Sequence, residues 1–126
     1  QGCQINSLSE SDLLKGHVYA SSWPSVFIGG YADHIRIVRV TPAGSEKVTI
    51  TSEWLFEEET LKNENYDREN VISFACRVME QDALACELNQ KGIHSSPYQN
   101  GVLMPEEYVI KKFHDWLRGQ LKTSKI

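Results

Sequence analysis

The residue in this chain best placed to do chemistry is an aspartate on a helix face whose other residues are mostly apolar. The stretch MEQDALACELNQ, Met79 to Gln90, has helical spacing, and Asp82 stands where the apolar stripe should continue. On a wheel of 100° per residue centred on Asp82, the same side holds Val71, Ala75, Val78, Met79, Ala85, Cys86 and Asn89. Ser73, Arg77, Glu80, Leu84, Glu87 and Lys91 fall toward the far side, so Glu80 points to solvent. An unpaired carboxylate buried on such a stripe costs several kcal/mol or takes up a proton. A metal ion, a cationic or hydrogen-bonding side chain, or water in a cleft would compensate it. Arg36, Arg39 and the histidines could supply a structural pair. On these residues alone, pairing and metal binding both stay open.

The other chemistry-bearing residues read more plainly. Cys3, Cys76 and Cys86 are odd in number and form no C-x-x-C pair, which fits reduced thiols rather than disulfides or a zinc site. Cys86 reads as a small residue on the covered side of its helix. His17, His34, His94 and His114 show no metal-ligand spacing and read as structural or surface histidines.

The chain has 126 residues, 40% hydrophobic and 24% charged, which suits one globular domain. A net charge of −4 excludes a basic footprint for nucleic acid. The basic residues from Arg118 to Lys125 suit a helix C-terminus. No apolar run approaches the ~20 residues needed to span a bilayer, and nothing at the start reads as a signal peptide. These features together read as cytoplasmic.

Several elements must position Asp82. Residues 1–16 read as a weakly ordered lead-in with a short helix from Ser9 to Lys15, and residues 17–126 as the domain proper. From His17 on, β-branched and aromatic residues predict strands, with breaks at Trp23-Pro24 and Gly29-Gly30. In HIRIVRV the alternation of Ile35 and Ile37 slips at Val38, which marks either a bulge or a strand covered on both faces. Beyond the turn PAGSE, Val48, Ile50, Trp54 and Phe56 alternate with Thr49, Thr51, Glu53 and Leu55, giving an antiparallel hairpin with one buried face. Asp67 is placed to cap a long helix running to about Lys91, ended by Gly92. Pro105, Glu106 and Glu107 open a last helix striped by Val109, Phe113, Trp116, Leu117 and Leu121. The class is α+β: an antiparallel sheet with a long helix packed across one face. About four strands is small for so long a helix, so this reads as part of a larger sheet.

WPSVFI, then DHIRIVRVTPAGSEKVTITSEWLF, then VMEQDALACELNQKGIHSSPYQNGVLMPEEYVIKKFHDWL together resemble the C-terminal catalytic domain of Rieske-type ring-hydroxylating oxygenase large (alpha) subunits. The specific pieces are Gln81, Asp82, Cys86, Glu87, Gln90 and Gly92, followed by Ser96, Tyr98, Gly101, Leu103, Pro105, Glu106 and the Phe113-His114-x-Trp116-Leu117 ending. The resemblance points to the branch holding choline- and carnitine-type monooxygenases beside aromatic-ring dioxygenases. It implies a helix-grip, START-like fold holding a mononuclear Fe(II) by two histidines and one carboxylate. The position matching that carboxylate is Asp82.

The resemblance further implies hydroxylation of an aromatic ring or a quaternary-ammonium substrate with dioxygen, and electrons from a reductase or ferredoxin. These would pass through a two-iron two-sulfur Rieske cluster, in a complete enzyme assembled as a homotrimer or hetero-oligomer. The C-x-H and C-x-x-H pairs for that cluster are not in this chain, nor is the segment carrying the two iron histidines. The chain therefore reads as a C-terminal part supplying one ligand of the three, inactive alone, with the Rieske domain upstream. The rival reading is a non-catalytic helix-grip domain that binds a small apolar ligand or a protein partner, with Asp82 paired internally.

Overall fold

A computed structural model describes residues 5, 8–13 and 16–123, so that Cys3, Lys15 and the last three residues lie outside it. The chain divides into two compact units, Gln1–Ile72 and Ser73–Ile126.

The first unit opens with the short helix α1, Glu10–Leu13. Ser9 caps it: Asp12 N–H donates to Ser9 Oγ at 3.3 Å, and Ser9 N–H donates back to Asp12 Oδ2 at 3.2 Å. Four strands follow, β1 (Val18–Ser22), β2 (Val26–Gly30), β3 (His34–Pro42) and β4 (Val48–Phe56), in an antiparallel meander of that order. Gly29 and Gly30, expected as a break, instead close β2. The chain turns just beyond them, where Tyr31 N–H donates to His34 O at 2.9 Å. Between β3 and β4 the turn closes with Ala43 N–H donating to Lys47 O at 2.8 Å. Gly44 takes φ +140° there, which L side chains rarely adopt.

The β3–β4 ladder runs unbroken from the His34–Phe56 pair to the Pro42–Val48 pair. No bulge interrupts it. Ile35, Arg36, Ile37 and Val38 are all half-buried, so the slipped pattern reflects a strand partly covered on both faces. On β4, Ser52, Trp54 and Phe56 are half-buried while Thr51, Glu53 and Leu55 are exposed, the expected parity. Toward the turn the covering stops, and Val48 and Ile50 are exposed. A short helix that the periodicity did not reveal, α2 (Glu58–Lys62), follows β4 and buries Thr60.

The long helix α3 spans Arg68–Ile93. Asn70 N–H donates to Asp67 Oδ1 at 2.9 Å, the N-cap bond expected of Asp67. The other end differs from expectation. Gly92 lies within the helix without a positive φ, and its carbonyl accepts from Ser95 N–H at 3.0 Å and Ser95 Oγ at 2.6 Å. A serine side chain and backbone N–H together satisfy the Gly92 carbonyl without a left-handed glycine.

In the second unit, α3 is followed by a single 3₁₀ turn, Pro105–Glu107, and by α4, Tyr108–Thr123. Met104 N–H donates to Glu107 Oε2 at 2.7 Å, closing the start that Pro105 and the acidic pair predicted. On α4, Lys111 and Arg118 flank Asp115 at 2.7 and 3.1 Å. Phe113 and Trp116 are half-buried, with ring centroids 5.8 Å apart. The class is α+β, as expected: a four-stranded antiparallel sheet and helices, including the long one. Among the described residues no apolar side chain is fully buried, and no helix is long and apolar enough to cross a membrane.

Candidate functional site

Asp82 lies in the middle of α3 and is exposed, contrary to the expected burial. The half-buried residues of the helix are Val71, Ile72, Ala75, Cys76, Met79 and Ala83. With Met79 at zero, their angles run from about −80° at Val71 to about +60° at Cys76, and Asp82, at about −60°, is exposed although it falls within that range. Leu84, placed toward the far side by the wheel, is exposed, and so are Phe74 and Leu88. Cys86, expected as a small core residue, is exposed too, and Glu80 faces solvent as expected.

The arginines and histidines that could supply a structural pair make contacts of their own. Arg39 lies 3.7 Å from Glu53. Arg36 donates from Nε to Ser52 Oγ at 3.1 Å and stacks over the Trp54 ring, 5.4 Å from its centroid. His94, one residue beyond α3, has its Nε2 3.2 Å from Gln90 Nε2, His17 packs 4.8 Å from the Tyr19 ring, and His114 neighbours Phe113.

His34 is the buried histidine and the centre of a network that motif reading missed. Its Nδ1 is 2.7 Å from Asp33 Oδ1, while Tyr66 Oη donates to Asp33 Oδ2 at 2.9 Å. Its ring stacks on Tyr31 with centroids 4.4 Å apart, and Phe56 links His34 to Tyr66 through contacts at 5.6 and 5.8 Å. Burial of Asp33 favours the neutral acid, but the hydrogen bonds from His34 and Tyr66 outweigh it and hold the carboxyl below its ordinary range. For Tyr66, burial first and the bond to ionised Asp33 second push the phenol up to about 12. The network ties the segment entering α3 to the start of β3, because Tyr66 directly precedes the cap Asp67. Its signal in the sequence was faint: an aspartate before a strand and a tyrosine before a cap, 33 residues apart.

Known proteins give this arrangement its context. Residues 1–123 match the family model described as ring hydroxylating alpha subunit (catalytic domain). The chain belongs to that family. Among its relatives, choline monooxygenase (chloroplastic) of Atriplex hortensis is 30% identical over 105 residues, 82% of this chain and 24% of that protein. The glycine betaine monooxygenase oxygenase subunit of Chromohalobacter salexigens is 32% identical over 97 residues, 76% of this chain and 21% of that protein. Choline monooxygenase (chloroplastic) of Spinacia oleracea is 29% identical, over 82% of this chain and 24% of its own length. The chain thus spans about a quarter of the length of the curated relatives it matches. No solved structure matches it.

The family's catalytic domain uses a mononuclear iron. Among the described residues, no group of three or more histidine, cysteine, aspartate and glutamate side chains is placed to hold a metal. One exposed carboxylate does not by itself make an iron site.

Proposed function

We propose that this chain is part of the catalytic domain of a Rieske-type oxygenase that hydroxylates a quaternary-ammonium substrate with dioxygen. Asp82 is its carboxylate ligand to the mononuclear iron, and two histidines come from outside these 126 residues. The observation that carries the reading is the family match over residues 1–123, joined to relatives named for choline and glycine betaine oxygenation. Those names favour the quaternary-ammonium branch over aromatic rings. Bound iron supplies the activation of dioxygen. The part this chain plays is to hold a carboxylate in mid-helix, on a helix whose start is set by the Asp67 cap and the Asp33–Tyr66 bond.

In this reading the electrons come from a reductase or ferredoxin through a Rieske cluster in another part of the protein, and the enzyme assembles as a trimer or hetero-oligomer. The location proposed is cytoplasmic, where cysteines without disulfide or zinc spacing stay reduced. The test is Asp82→Asn in the complete oxygenase. Iron analysis should show loss of the mononuclear metal and of turnover, while the visible spectrum of the Rieske cluster is unchanged, because its ligands lie in another domain. Full retention of mononuclear iron would overturn the assignment.

A further inference from the structure

One row of residues crosses a face of the sheet. Tyr19, Gly29, Arg36 and Trp54 are successive cross-strand partners on β1, β2, β3 and β4, and directly opposed residues share a face. A Cβ on Gly29 would stand 3.0 Å from the Tyr31 ring and 3.1 Å from the Tyr19 ring, so the glycine leaves room for both tyrosines. Their hydroxyls are 3.1 Å apart. On the other side of Arg36 lies the indole of Trp54, with Ser52 holding the guanidinium by its Nε edge. The arginine is half-buried and oriented, and its terminal amino groups form the remaining edge of the fork.

The row is rich in donors. Among the described residues no carboxylate lies in ion-pair range of Arg36, whereas Arg39, on the opposite face, has Glu53. The Nε1–H of Trp54 is buried and has no hydrogen-bond acceptor among the described residues. Within the tyrosine pair one hydroxyl donates to the other, which leaves one phenolic hydrogen to give. A guanidinium already held at Nε, with its planar fork open, matches a carboxylate better than any neutral acceptor. The same charge repels a quaternary ammonium.

We infer that the row Tyr19–Gly29–Arg36–Trp54 is a carboxylate-binding site, and that the substrate is a zwitterion carrying both a quaternary ammonium and a carboxylate, not the corresponding amino alcohol. The substrate assignment rests on the oxygenase reading; the carboxylate site itself does not. The two kinds of relative divide on this point, since choline bears a hydroxyl where glycine betaine bears a carboxylate.

The first test is an NMR titration of the 126-residue chain with acetate, glycine betaine, choline and chloride at constant ionic strength. Acetate and glycine betaine should move the Trp54 indole N–H and the Arg36 Nε–H saturably, and choline and chloride should not. Arg36→Lys keeps the charge without the fork and should weaken binding about tenfold or more; Arg36→Gln should abolish it. A wild-type titration with no saturation by ~100 mM carboxylate, or one that chloride reproduces, overturns the site whatever the variants do. So does saturable binding that survives in a folded Arg36→Gln chain.

In the complete oxygenase, kcat/KM should favour glycine betaine over choline, and Arg36→Gln should reverse that order. Turnover of choline without carboxylate binding would sink this inference and leave the oxygenase reading standing. Carboxylate binding in a protein that oxygenates neither compound would sink the substrate assignment and the oxygenase reading while sustaining the site.

Discussion

Replacing Tyr66 by phenylalanine removes one hydroxyl and leaves the ring free to keep its packing on Phe56, 5.8 Å away. The lost group is the donor to Asp33 Oδ2 at 2.9 Å. A hydrogen bond to an ionised acceptor contributes about 1.5–3 kcal/mol when well buried. The Asp33 side chain is 28% exposed and keeps its 2.7 Å bond to His34, so the low end applies. The expected loss is about 1–1.5 kcal/mol, or a fall of about 1 M in the urea midpoint for a chain of this size.

The loss depends on pH in a defined direction. Asp33 has its pKa lowered by folding, so its contribution is complete above the unfolded value of about 3.9 and fades as pH falls through the folded value. Tyr66 has its pKa raised to about 12, so its contribution is complete below the unfolded value of about 10 and is lost as pH climbs from there. The difference between wild type and Tyr66→Phe should therefore be full between about pH 5 and 9 and shrink toward pH 3. The assay is urea unfolding followed by tryptophan fluorescence in a Trp116→Phe background, where the remaining reporters, Trp23 and Trp54, both lie in the sheet unit. A phenol absorbance titration should also lose the component that ionises near 12. A loss below about 0.3 kcal/mol at pH 7, or one equally large at pH 3, would refute the network as described.

Other perturbations should separate local roles in the same way. Asp67→Ala should cost about 1 kcal/mol and lower the helical far-UV signal, while Asp67→Ser, which restores a cap, should recover most of it. Asp82→Asn in this chain should change stability by no more than about 0.5 kcal/mol, because the side chain is exposed; a loss above about 2 kcal/mol in urea unfolding would point to a structural ion pair instead. Gly29→Ala should destabilise the chain by about 1 kcal/mol and shift the Tyr19 and Tyr31 ring resonances, since the new methyl would press on both rings at 3.0–3.1 Å. Metal analysis of the purified chain after mild chelation should find far less than stoichiometric iron, one carboxylate being too few ligands; tightly bound, near-stoichiometric iron would bring the histidines back as ligands.

Local sequence determined the elements. Asp67 before an amphipathic run started α3 where expected, because the N-cap bond is made within three residues and needs no distant partner. The alternation in β4 assigned Trp54 and Phe56 to one face for the same reason: the pleat has a period of two wherever the strand lies. Resemblance in the residues around Asp82 also carried the family, which the match over residues 1–123 bears out.

Tertiary structure decided which faces are covered and which side chains meet. A helical wheel reports angles between side chains and says nothing of what lies opposite, so it could not place the stripe of α3 on Met79 or show that Asp82 is exposed. The slip in β3 had two explanations, a bulge or two covered faces, and only strand pairing could choose between them. Asp33 and Tyr66 are 33 residues apart and meet because the β3–β4 hairpin and α2 return the chain to its start. Arg36 could have paired with any carboxylate in the chain. Its ring partner was fixed by register, which set Trp54 directly across from it, and a slip of one residue would have turned that indole to the other face.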